Sequence, residues 1–166
     1  CVDEKFLILA RKCNVKLISI GVEHAHQEVF KLINKGETLE QIESAARLIK
    51  KHNISLGLSF VIGLPKDNLE RTKESIKFCK RVKADEFSIN QIIPFKCTAV
   101  REWFERNNAK LYNEIGVDAQ PLSHFECETP VVETPDFTRE EREKAFYIFL
   151  FGVADPRLKF SRLPRI

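Results

Sequence analysis

ISLGLSFVIGLP, residues 54–65, decides the fold. The run is rich in apolar and β-branched residues, too short for a buried helix, and punctuated by Gly63 and Pro65, so it reads as a strand. Side chains alternate along a strand, which sets Gly57, Ser59, Val61 and Gly63 against Leu56, Leu58, Phe60 and Ile62. Working outward, VKLISIGV (15–22) and EFSINQII (86–93) have the same character. In the first, Leu17, Ser19, Gly21 and Glu23 oppose Ile18, Ile20 and Val22. In the last, Ser88, Asn90 and Ile92 oppose Phe87, Ile89 and Ile93. Each strand has one greasy side, suited to covering helices, and one smaller or more polar side.

The intervening stretches read as helices. Asp3 caps a helix from Glu4 to about Lys12, and a short helix from about Gln27 to Asn34 stops near Gly36. Thr38 and Gln41 form a capping box before Leu39, Ile42, Ala45, Ala46 and Ile49, which make one apolar face. Helix 68–82 buries Ile76 and Val82, and another helix runs from about Thr98 to Asn107. Residues 108–136 carry weak signals, and a helix over 138–151 opens on Thr138, Glu140 and Glu141. Strands separated by helices are the βαβ repeat of a parallel sheet, so the fold class is α/β, an open sheet or an arc of a barrel. Small and polar interior positions suggest a roomy cavity, since a closed, packed barrel favours bulky branched residues inside. Tight packing at Gly and Ser, or a simply wet face, fits the same pattern.

With 166 residues, 43% of them apolar, the chain can bury a sizeable core. Its 27 Lys and Arg against 24 Asp and Glu imply no polyanion partner, so no nucleic-acid signal arises. No apolar run reaches the roughly 18 residues that span a membrane. The five cysteines are odd in number and far apart, which fits a reducing cytoplasm better than a disulfide framework. Cys1 is not an initiator and the chain has no Met, so the sequence reads as a segment of a longer protein.

Glu23 with His24, the Gly63–Pro65 turn, and Gln91–Phe95 all fall at carboxyl ends of strands, where open α/β sheets and barrels place ligands. A carboxylate at Glu23 can accept hydrogen bonds from ribose hydroxyls, or can simply favour the following helix N-terminus. His24 and His26 have the spacing of a metal pair, but no third ligand follows at a convincing distance, so no metal site is assigned. Gly63 ends a strand and also allows a flat ring to approach the backbone. Cys97 lies at a strand end, where a lone thiol is usually inert; Cys13 and Cys79 read as packing. The basic residues Lys66, Arg71, Lys73, Lys77 and Lys80 read as a solvated face, and Trp103, Phe104 and Tyr112 as core or a docking surface.

GVEHAHQEVFKLINKGETLEQI (21–42), LGLSFVIGLPKDNLERTKESIKF (56–78) and DEFSINQIIPFKCTAV (85–100) are together similar in order and spacing to the second half of a radical S-adenosylmethionine (radical SAM) domain. The nearest subgroup is the one that also carries a cobalamin-binding domain, whose stretches read GVESGSQEVL..INKG, IGLPGET and TPYPGT. The resemblance covers residues 3–107, and ETPDFTREEREKAF (133–146) loosely resembles the helix after that barrel. It implies a partial TIM-type (β/α) barrel over residues 1–107, holding strands four to six of a (β/α)6 barrel, with a C-terminal extension over 108–166. By position it assigns Glu23 and His24 to the ribose or methionine part of S-adenosylmethionine. It sets Ser59, Val61, Gly63 and Lys66 beside the adenine, with Asn90 and Ile92 also at the ring. The family's cluster-binding cysteine loop and strands one to three are absent. Ser-Gly-Ser becomes His24-Ala25-His26, and the acid after IGLPG reads as displaced to Asp67.

The resemblance implies a fragment of a radical SAM oxidoreductase or transferase, inert alone because the 4Fe–4S ligands lie in a missing N-terminal half. Cobalamin is a further cofactor of the parent under this reading. A degenerate half-barrel acting as a binding scaffold is the alternative, and a metal hydrolase using His24 and His26 a weaker one. Exposed sheet edges would also favour self-association of the isolated fragment.

Overall fold

The computed structural model describes residues 2–112 and 129–153. The helices are α1 (Glu4–Lys12), α2 (Gln27–Ile33), α3 (Leu39–Lys51), α4 (Leu69–Arg81), α5 (Ala99–Arg106) and α6 (Arg139–Val153). The strands are β1 (Leu17–Glu23), β2 (Ser55–Ile62), β3 (Glu86–Gln91), β4 (Lys110–Leu111) and β5 (Val132–Glu133). β1, β2 and β3 form one parallel sheet in that order. Gly21 lies opposite Ser59, Ser59 opposite Ser88, and Val61 opposite Asn90. The strand segments 19–23, 57–63 and 88–91 therefore run side by side in one direction, as the alternation requires.

The local chemistry explains the boundaries. Asp3 Oδ1 accepts from the Phe6 amide at 2.8 Å, and Asn68 Oδ1 from the Arg71 amide at 2.9 Å. Both halves of the Thr38–Gln41 capping box are made. α2 stops at Asn34, two residues before Gly36, because Asn34 takes the left-handed conformation (φ 51°) that asparagine tolerates. β2 ends at Ile62, three residues before Pro65.

The greasy side is covered as the periodicity demands: Val22, Leu56, Leu58, Phe60, Ile62 and Phe87 are all buried. α6 closes over it. Phe149 meets Phe60 at 5.0 Å and Phe87 at 6.0 Å between ring centroids. Phe137, Ala145, Phe146, Phe149 and Val153 thus join the same hydrophobic cluster as the strands. The described part of the expected extension shares the core of the preceding residues.

One expectation changes, that for Cys13, and two features add to the sequence reading. β4 and β5 pair antiparallel through two residues each, too few to leave any alternation in the sequence. Tyr112 lies against Lys110 Nζ at 4.6 Å and the Arg139 guanidinium at 4.5 Å, whereas Phe104 is fully buried. Cys13 is exposed at the end of α1, where it was expected to pack; Cys79 is buried, and burial pushes its thiol up to about 12. Alkylation by iodoacetamide at pH 8, followed by mass spectrometry, should modify the exposed Cys13 and Cys97 well before the buried Cys79. A pKa near 12 leaves Cys79 on the order of a thousandfold fewer thiolates than a free cysteine, before burial slows access further. Among the described residues, no helix is long and apolar enough to cross a membrane.

Candidate functional site

Among the described residues, the polar side of the sheet is left open. Ser88 and Asn90 are exposed, and Ser59, Val61 and Ile92 are half-buried. Cross-strand neighbours sit about 5 Å apart, so Gly21, Ser59 and Ser88 form one row across the sheet and Val61 with Asn90 the next. The strands' carboxyl ends all lie at one edge of this face.

Glu23 occupies that edge with an unusual backbone. The pairing of β1 with β2 shifts register between Gly21 and Glu23, and Glu23 adopts φ 64°. The His24 amide bonds back to the Val22 carbonyl at 2.8 Å, making a three-residue turn around Glu23. Left-handed backbone at a non-glycine residue costs on the order of 1–2 kcal/mol, and such conformations cluster at functional sites. Lys35, from the INKG element, reaches back to this edge. Its ammonium donates to the Gly21 carbonyl and to Glu23 Oε1, the latter at 3.3 Å. A Cβ placed on Gly21 would lie 2.5 Å from Glu23 Oε1, 3.1 Å from Lys35 Nζ and 3.5 Å from Ser59 Oγ. Carboxylate, ammonium and hydroxyl therefore meet on the open face above Gly21. Sequence reasoning selected Glu23 and Ser59 but missed Lys35, although its motif was in view.

His24 and Gly63 lie elsewhere. His24 is 1% exposed, turned inward rather than toward the open face. Its Nδ1 accepts from the His26 amide at 3.0 Å, so Nε2 carries the proton and donates to Asp67 Oδ1 at 3.0 Å. Both ring nitrogens are spent within the protein, which corrects the assignment of His24 as a cofactor contact. Asp67 also accepts from the Gly63 amide at 2.8 Å and the Asn68 amide at 2.7 Å. On the other side of the same glycine, Arg142 Nη1 donates to the Gly63 carbonyl at 2.8 Å. Gly63 has φ 85°, and the space where its Cβ would stand is filled by the Arg142 guanidinium. The flat group lying against this glycine is an arginine of α6, not an open shelf. A second correction concerns Asp67. It stands two residues after Pro65, as the acid does in IGLPGET, so it is not displaced.

Arg142 was not foreseen. It sits on the apolar stripe of α6 with Ala145, Phe146, Phe149 and Val153, and a charge on such a stripe was the available signal. It is 1% exposed and also donates through Nε to the Phe137 carbonyl at 3.0 Å, with its guanidinium 4.6 Å from the Phe137 ring centroid. Burial lowers its pKa to about 10, opposed by the nearby Asp67 carboxylate, so it remains protonated at neutral pH.

His26 is separate from any ligand set. Its Nε2 faces Glu74 at 3.9 Å, and its Nδ1 is buried without a partner among the described residues. No three His, Cys, Asp or Glu side chains among the described residues converge to hold a metal ion. The basic stretch is paired with acids where it meets α2: Lys66 and Arg71 both bond Glu28, at 2.9 and 2.7 Å.

The described face thus brings a carboxylate, an ammonium and a hydroxyl together beside apolar Val61. The family model described as the radical SAM superfamily matches residues 1–79. An anaerobic magnesium-protoporphyrin IX monomethyl ester cyclase of Rubrivivax gelatinosus is 35% identical over 78 residues, 47% of this chain and 14% of its own length. The protein of the same description from Cereibacter sphaeroides is 24% identical over 141 residues, 84% of this chain and 21% of its own. The chain therefore spans about a fifth or less of these relatives. Among solved structures, the radical S-adenosylmethionine methyltransferase TsrM from Kitasatospora setae, with cobalamin and a [4Fe-4S] cluster bound, superimposes with TM-score 0.61. That match covers 100% of this chain and 37% of TsrM at 17% identity, and it shows the fold: a partial radical SAM barrel.

Proposed function

We propose that this chain, which belongs to the radical S-adenosylmethionine superfamily, forms strands four to six of a (β/α)6 barrel and lays its polar face against S-adenosylmethionine. The observation that carries the reading is Glu23, a strained strand-end carboxylate on the open face beside Ser59, with Oε2 unbonded among the described residues. Glu23 accepts from the ribose hydroxyls. Val61 and Ile92 supply apolar surface for the adenine, and Asn90 lies beside the ring, next to Val61 across the sheet. His24 and Gly63 act behind the face, holding the strand ends. On one-electron reduction by a 4Fe–4S cluster, S-adenosylmethionine supplies the radical; the cluster's ligands belong to another part of a longer, cytoplasmic polypeptide. That part also covers the edge of β1 that is unpaired among the described residues, and the exposed Phe6, Ile8 and Leu9 of α1. The relative solved with cobalamin supports a cobalamin-dependent parent. Isolated, the chain is inert and self-associates through the uncovered edge.

The complete polypeptide, reconstituted anaerobically, should acquire a 4Fe–4S spectrum and release 5′-deoxyadenosine. Within it, Glu23→Gly should fold at least as well, since glycine adopts φ 64° freely, while affinity for S-adenosylhomocysteine falls about tenfold or more by calorimetry. A colourless protein that binds no S-adenosylhomocysteine would instead support the scaffold reading, which the replacement of Ser-Gly-Ser by the buried His24 and Ala25 favours.

A further inference from the structure

Lys35 has no assigned role, yet its side chain is three-quarters buried, at 25% exposure, against the open face. An ammonium on a flexible stem normally extends into water. Here it is folded back onto β1 and bonds the Gly21 carbonyl and Glu23 Oε1 together. The second carboxylate oxygen of Glu23 has no hydrogen bond among the described residues, and the Glu23 side chain is 29% exposed. The turn at φ 64° fixes where this side chain starts, and Lys35 fixes where it ends. The bare Cα of Gly21 supplies the room: a methyl group there would press on the far ends of both side chains.

We propose that Lys35 is a positioning residue that pre-orients Glu23 for the vicinal hydroxyls of a bound nucleoside. The inference rests on the nucleoside reading of this face. A glutamate free to rotate loses side-chain entropy when a ligand immobilises it, whereas one already held by Lys35 has lost that freedom before the ligand arrives. The contribution of Lys35 to affinity is therefore indirect, and it exists only for ligands whose hydroxyls engage Glu23. A lysine that instead gripped the amino-acid carboxylate of the ligand would act whether or not the hydroxyls were present.

The test uses the complete polypeptide and two probes, S-adenosylhomocysteine and its 2′,3′-dideoxy analogue, titrated calorimetrically. Lys35→Met keeps the stem and removes the charge. Gly21→Ala keeps Lys35 and Glu23 but displaces their ends, and it meets only flexible groups, so it keeps the assay informative if Lys35→Met folds poorly. Each variant should weaken S-adenosylhomocysteine about tenfold and change the dideoxy analogue less than about twofold. Equal losses on both probes, or no loss on either, would overturn the role of Lys35 while leaving the nucleoside site standing. Failure of the unsubstituted polypeptide to bind S-adenosylhomocysteine at all would remove the nucleoside reading and this inference with it.

Discussion

Gly63→Ala should destabilise the chain by about 3–5 kcal/mol, a large share of the roughly 5–15 kcal/mol that holds a domain of this kind together. Two costs combine. Alanine at φ 85° is strained by on the order of 1–3 kcal/mol. Its Cβ would also overlap Arg142 Nη1 and stand 3.2 Å from Ile92 Cγ2. The end of a surface arginine would swing aside at little cost. This one is 1% exposed and bonded to the Gly63 and Phe137 carbonyls, so moving it strands the Gly63 carbonyl at about 1–3 kcal/mol and loses a further bond at Phe137, whose carbonyl keeps the Thr134 amide. The midpoint of urea denaturation reads the effect directly. A loss below about 1 kcal/mol would mean that the guanidinium retreats freely and that the clamp around Gly63 is loose.

Arg142→Met is expected to be of similar size, about 3–5 kcal/mol, for a different reason. Methionine fills much of the volume but leaves the Gly63 carbonyl without its side-chain donor, and the Phe137 carbonyl with the Thr134 amide at 3.1 Å as its remaining donor. It also leaves the Asp67 carboxylate, whose side chain is 0% exposed, without its nearby cation. Removing one of two nearby buried charges is costly because the other stays desolvated, although no direct bond joins Asp67 to Arg142. Removing both charges is cheaper. Arg142→Met combined with Asp67→Asn should therefore be less destabilised than the sum of the two single variants, by at least about 1 kcal/mol. Strict additivity in denaturation experiments would show that Asp67 and Arg142 act independently, each as a local hydrogen-bonding group.

These two experiments bear on function because Gly63 directly follows the strand that carries Ser59 and Val61. Its amide is held by Asp67 and its carbonyl by Arg142, and Asp67 is in turn tied to His24, the residue after Glu23. The strand ends that present Glu23, Ser59 and Val61 are thus cross-braced from behind by polar groups of α6, the α4 entrance and the turn after β1. A rigid floor leaves less motion to be quenched when a ligand settles on it.

Helices, strands and faces were legible in the sequence because they depend on neighbours. Asp3, the Thr38–Gln41 box, Asn68 and Thr98 act within one turn, and the alternation along 54–62 reports which side of a strand is dry without reference to anything distant. The family resemblance added where a ligand would lie. The roles of His24, Gly63, Asp67 and Arg142 were not legible, because each is set by a partner far away in the chain. His24 meets Asp67 across 43 positions, and Gly63 meets Arg142 across 79. Lys35 was hidden for the same reason, 14 positions from the carbonyl that it reaches. Periodicity and capping are short-range effects and can be read along the chain. Which buried polar group satisfies which, and therefore which candidate faces the ligand and which braces it from behind, was decided only when the packed sheet and α6 brought those atoms within hydrogen-bonding distance.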